Sequence, residues 1–149
     1  MIRARRRARE AALRAMYAHE MSGNPLESVI ENMIQSLNED DKLKRFAVEL
    51  LRASAEHKDE LEKLIVSRAQ NWEFDRIAIL DKLIMRMAIC EFLHFEDIPP
   101  KVSIDEAIEI SKTYSTEKSG TFINGVLDGV LNQLKGDGLL KKSGRGLNE

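Results

Sequence analysis

The chain has 149 residues, 43% hydrophobic and 32% charged, the make-up of one globular domain able to bury a sizeable core. Its apolar runs fall far short of a bilayer span, and an Arg-rich start with no apolar stretch behind it does not read as a signal peptide, so the expected location is the cytoplasm. The formal net charge is only −2, yet Arg3, Arg5, Arg6, Arg7 and Arg9 open the chain without an acid among them. A basic start on an otherwise acidic body points to a local anionic partner.

Strand signals are almost absent, and the three prolines, Pro25, Pro99 and Pro100, punctuate long helix-period stretches. Residues 3–21 are rich in Ala, Arg, Leu and Met and predict a first helix, stopped by Ser22-Gly23-Asn24-Pro25. Residues 26–37 predict a second, with Leu26, Val29, Ile30, Met33, Ile34 and Leu37 at helical spacing. Asn38 to Asp41 suits a cap. Residues 42–70 read as helix with a break near Ser54 to His57, and Trp72 and Phe74 as a connection plugging into the core. Residues 75–94 predict the most hydrophobic helix, which contains the lone cysteine, Cys90, as a small core residue. Phe95 to Pro100 reads as a loop. Ser103 and Glu106 read as a capping box opening a helix to about Tyr114. Residues 119–134 predict a final helix, with Gly125 and Gly129 one turn apart as a place for close approach. Residues 135–149, rich in Gly, Lys and Ser, are expected to be a disordered basic tail. The fold class is therefore all-α, about seven helices in two packed sub-bundles, with residues 1–134 as one domain.

On a wheel of about 100° per residue, Arg3, Arg7 and Arg14 fall within about 40° of one another, opposite the Ala12, Leu13 and Met16 face. Arg5 and Arg9 fall on the core-facing side, early enough in the helix to project past the body. Arginine offers phosphate a planar fork and stacks on bases, which favours RNA over generic solubility. Enzyme signals are weak. His19, His57 and His94 have no metal-ligand spacing, one cysteine is too little for a zinc site, and no nucleotide loop or nucleophile elbow occurs. Neither a metal nor a cofactor is expected. Glu91 stands in line with Leu80, Ile84 and Met87 on an apolar face, so its carboxylate needs a partner and its role reads as structural. Phe122 begins an apolar stripe but follows Lys118, Ser119, Gly120 and Thr121 at a helix start, where amides, a lysine and an aromatic can meet a phosphate and a base.

Three stretches carry a family resemblance: Arg5 through Met16-Tyr17, Asp81-Lys82 through Phe92, and Ile98-Pro99-Pro100 through Glu109, continuing to Phe122 through Asp128. In this order they resemble the NusB family of transcription antitermination factors, over about residues 3–134. The resemblance implies binding of single-stranded boxA RNA together with NusE, a small-subunit ribosomal protein, and loading onto RNA polymerase with other Nus factors to suppress termination in ribosomal RNA operons. It implies an RNA surface of Arg5, Arg6, Arg7 and Arg9 with Lys118 and Phe122, and Arg86 as an addition, to which the exposed stripe adds Arg3, and a NusE surface at Tyr17 and Asp81. The position of Lys118 is acidic in some relatives, and a lysine there favours RNA. The same helical module also opens a family of ribosomal RNA cytosine methyltransferases, which need a large cofactor domain after it, so the free-standing factor is the better match. A protein-interaction adaptor and a stand-alone RNA-targeting module remain the alternatives, and a homodimer through the first helix stays open.

Overall fold

The computed structural model describes residues 2–69 and 73–148; Trp72 lies outside them. Among the described residues there are seven α-helices and no strand: α1 (Ile2–Ser22), α2 (Leu26–Ile30), α3 (Asp41–Glu56), α4 (Lys58–Arg68), α5 (Ile79–His94), α6 (Pro100–Tyr114) and α7 (Glu117–Gly136). They belong to two compact units, Met1–Glu56 and His57–Glu149.

In the first unit α1 packs along α3. Ala8, Ala11, Ala12 and Ala15 make a smooth buried face on α1, flanked by Leu13 and Met16. Opposite them lie Leu43, Phe46, Ala47, Leu50 and Leu51 of α3, all buried at helical spacing. Gly23, at φ +73°, turns the chain out of α1 as its N–H donates to the His19 carbonyl, and Pro25 starts α2. The expected second helix proves to be one α turn running directly into a π-helical turn, Glu31–Gln35. That wider turn buries Ile34 fully while Met33 stays half-buried. Asp40 caps α3, its Oδ1 accepting from the Leu43 N–H at 2.8 Å.

In the second unit α5 is the hub, packed by α4, α6 and α7. Every residue from Leu83 to Phe92 is buried, which is why its sequence is apolar nearly all round. The α3–α4 break comes at His57, whose ring stacks on His94 at 4.0 Å between centroids. Helix α6 begins at Pro100, a turn before the expected capping box. Proline suits a first helical position, having a preset φ and no N–H to leave unsatisfied. Ser103 is thereby placed inside the helix, where it does not cap. Its Oγ donates instead to Glu91 Oε1 at 2.7 Å, giving a carboxylate that is 1% exposed the partner its burial demands. The close approach expected at the α7 glycines occurs at Gly129 alone: a Cβ there would lie 3.1 Å from Arg68 Cδ, whereas Gly125 faces open space.

The C-terminal tail is not the loose segment its composition predicts. It returns to the end of α5 and forms a 3-10 turn over Gly144–Leu147. Lys142 Nζ donates to the carbonyls of Glu91 and Phe95 at 2.9 and 2.8 Å, a second partner for oxygens that already accept from the Phe95 and Ile98 N–H groups. The Ser143 N–H donates to the Glu96 carbonyl at 3.0 Å. Burial pushes the Lys142 pKa down, opposed by the charges of Glu91, Asp97 and Glu96. Gly146 is buried against Glu96, and a Cβ there would run into the Glu96 carbonyl oxygen. Gly146→Ala should therefore detach the tail. Hydrogen exchange should show the Ser143 amide losing protection while the α5 amides keep theirs; a Ser143 amide as protected as before would contradict this packing.

Candidate nucleic-acid interface

The alanine face of α1 points into the first unit, so the opposite face is left to solvent. Arg3, Arg7 and Arg14 are all exposed there, as the wheel predicts. Tyr17, 39% exposed, lies on the same side of the helix, roughly 15 Å further along the axis from Arg7 at about 1.5 Å per residue. Arg7 is held in a side-on fork: its Nε donates to Glu39 Oε2 at 3.0 Å and an Nη to Glu39 Oε1 at 3.3 Å.

Arg5 and Arg9 behave differently from the expectation that they project past the body. Both lie over the Phe46 ring of α3, with guanidinium carbons 4.3 and 5.5 Å from its centroid. Arg5 remains half-buried, but Arg9 is only 3% exposed, so the surface expected there for RNA is absent. Phe46 serves as a platform that converts two core-facing arginines from a burial problem into packing. Arg6 is half-buried between these two sets.

In the second unit the start of α7 is built around hydroxyl groups. Thr116 is the N-cap, its Oγ1 accepting from the Ser119 N–H at 3.3 Å. Ser119 Oγ and Ser115 Oγ donate to the two oxygens of Asp81, at 2.9 and 2.7 Å. Asp81 is in the first turn of α5 and is only 6% exposed. Its carboxylate therefore ties the opening turn of α7 to α5. With Ser119 turned inward, Lys118 is exposed and Phe122 half-buried. Arg86, expected as a further RNA contact, is 2% exposed and donates to Glu62 Oε2 of α4 at 3.2 Å. Its charge is engaged inside the unit, which corrects that expectation.

Arg3, Arg7, Arg14 and Tyr17 thus share one face of α1, and Lys118 and Phe122 share the start of α7. Sequence reasoning missed the Glu39 fork, the Phe46 platform and the Asp81–Ser115–Ser119 cluster. The N-cap pattern before α7 and the lone acid at the start of an apolar helix were the visible traces of the last of these. Among the described residues, no group of three or more His, Cys, Asp or Glu side chains is placed to hold a metal ion, and no helix is long and apolar enough to cross a membrane.

Residues 6–132 match the sequence profile of the NusB family. A Salinibacter ruber protein named transcription antitermination protein NusB is 45% identical over 144 residues, which are 96% of this chain and 90% of that protein. The solved structure of T. maritima NusB superposes with a TM-score of 0.80 at 37% identity, covering 87% of this chain and 91% of that one. A chain in the crystal structure of antitermination factors NusB and NusE in complex with double-stranded RNA has the same fold, with a TM-score of 0.80 at 22% identity over 89% of this chain and 99% of that one. A profile spanning α1 to α7, a relative alike over nearly its whole length and a shared helical fold lead to one conclusion: the chain belongs to the NusB family.

Proposed function

We propose that this protein is a transcription antitermination factor that binds boxA-type RNA with a NusE protein and works by positioning rather than by catalysis. The observation that carries this reading is the solvent-facing line of Arg3, Arg7 and Arg14 on a helix whose other face is fully buried. Arginine forks contact phosphate and fix a strand, and they stack on unpaired bases. On the second unit Lys118 supplies a charge and Phe122 part of an aromatic surface at a helix start, the combination that single strands use. Arg5 and Arg6, half-buried beside this line, flank it. Arg9 and Arg86 hold elements in place.

The protein named in the NusB–NusE crystal structure assembles with NusE and duplex RNA. By analogy, NusE meets this chain at Tyr17, whose ring has the exposed area to be covered. Asp81 contributes by holding the α7 start that it anchors. RNA polymerase and other Nus factors complete the assembly, at ribosomal RNA operons in the cytoplasm.

Changing Arg6 and Arg7 together to Ala should weaken binding of a labelled boxA oligonucleotide and flatten its salt dependence, by a slope of about 0.7 for each phosphate that is no longer neutralised. Anisotropy titrations over a salt series check this, and binding unchanged at every salt concentration would remove α1 from the RNA surface. Phe46→Leu keeps apolar bulk but loses the platform for Arg5 and Arg9. It should lower stability to urea by about 1–2 kcal/mol, against about 3–5 kcal/mol for Phe46→Ala. Asp81→Ala should raise exchange at the Ser119 amide and weaken RNA binding even without NusE. If instead it weakened NusE binding alone, Asp81 would be a direct partner contact.

A further inference from the structure

Glu39 has no visible task in holding its own loop. That loop is fixed by other groups: Asp40 caps α3 through the Leu43 N–H, Lys44 Nζ donates to the Gln35 carbonyl at 2.9 Å, and Ser36 Oγ donates to the Asn32 carbonyl at 2.6 Å. Glu39 is the residue just before the cap, so its backbone is set independently of its side chain. Its carboxylate nevertheless receives the Arg7 fork with both oxygens engaged, at 3.0 and 3.3 Å, across 32 residues of sequence. Two oxygens on one guanidinium edge is the arrangement by which arginine also grips a phosphodiester.

We propose that the Arg7 guanidinium is a phosphodiester subsite which Glu39 occupies in the free protein and which RNA must take from it. This rests on the reading of α1 as an RNA surface. The contact raises the Arg7 pKa, first through the Glu39 hydrogen bond and then through its charge, with Asp40 adding to the same field.

The pair is exposed, 50% at Arg7 and 28% at Glu39, so solvent and salt screen it. A single dilute anion gains little by replacing an intramolecular carboxylate. A strand that is already held by its other phosphates delivers the next one at high local concentration, and displaces Glu39 readily. The displaced carboxylate stays beside the strand and repels it. Glu39 thereby sets the threshold at which the basic face accepts a polyanion, favouring ligands with several correctly spaced phosphates over sparse ones.

The test uses the full chain and a fluorescein-labelled single-stranded boxA-type RNA at about 50 mM salt, where electrostatic contacts weigh heavily. Glu39→Gln and Glu39→Ala should each bind about two- to five-fold more tightly than wild type, the range an exposed ion pair allows. The gain should vanish when Arg7→Gln is also present, as a double-mutant cycle reads it. Glu49→Gln, which neutralises another exposed acid of the same unit, should give a smaller gain. Thermal melts by circular dichroism should coincide for wild type and the Glu39 variants. Equal or weaker binding by both Glu39 variants overturns the proposal, as does a gain that persists without Arg7 or is matched by Glu49→Gln. If Arg7→Gln alone weakens binding while the Glu39 variants change nothing, only this inference fails. If Arg7→Gln binds like wild type, the RNA reading of Arg7 fails with it.

Discussion

Ala8, Ala11, Ala12 and Ala15 are all buried on the face of α1 that packs along α3, and that seating decides where each arginine of the first helix goes. A helix seated on an alanine face cannot roll to expose a second set of residues without burying Arg3, Arg7 or Arg14, and burying an unpaired guanidinium is costly. The same seating brings Arg5 and Arg9 to α3, where the Phe46 ring accepts both guanidinium groups. The basic stretch is thus divided by packing into side chains facing water and side chains supporting the helix.

The second unit solves a different problem with similar means. Its central helix, α5, is buried on all sides, yet it carries Asp81, Arg86 and Glu91. Each is tied to a different neighbour: Asp81 to the hydroxyls before and within α7, Arg86 to Glu62 of α4, Glu91 to Ser103 of α6. A buried polar group that is satisfied only in one arrangement specifies that arrangement. These links act as registers, and the one at Asp81 determines how Lys118 and Phe122 are offered. The aromatic and acidic residues grouped as a partner surface by family likeness differ in exposure, 39% at Tyr17 against 6% at Asp81. Tyr17 has surface to give, and Asp81 works from inside.

Much of this was legible in the sequence because it follows from periodicity. The α1 and α7 stripes, the hydrophobic α5 and the break at His57 are short-range patterns, and the wheel sorted Arg3, Arg7 and Arg14 from the others. The illegible parts depend on pairs distant in sequence. Ser103 looked like a cap because Glu106 follows at the right spacing, and Glu91, its actual partner, is twelve residues upstream. The tail looked disordered because Lys, Gly and Ser lack apolar area, yet its anchor is a lysine amine on helix-end carbonyls and a glycine needed for close approach. Phe46 reads as one more core position until two guanidinium groups are placed over it. Glu39 reads as part of a polar cap, and no local signal connects it to Arg7.

On the proposed function, solvent-facing arginines of α1 meet RNA while the buried ones support the fold. Nuclear magnetic resonance of the arginine Nε–Hε groups, titrated with boxA-type RNA, distinguishes the two sets. The Arg3, Arg7 and Arg14 signals should move on binding, whereas those of Arg9 and Arg86 should stay in place. Movement confined to Arg9 and Arg86, or no arginine response at saturating RNA, would contradict it.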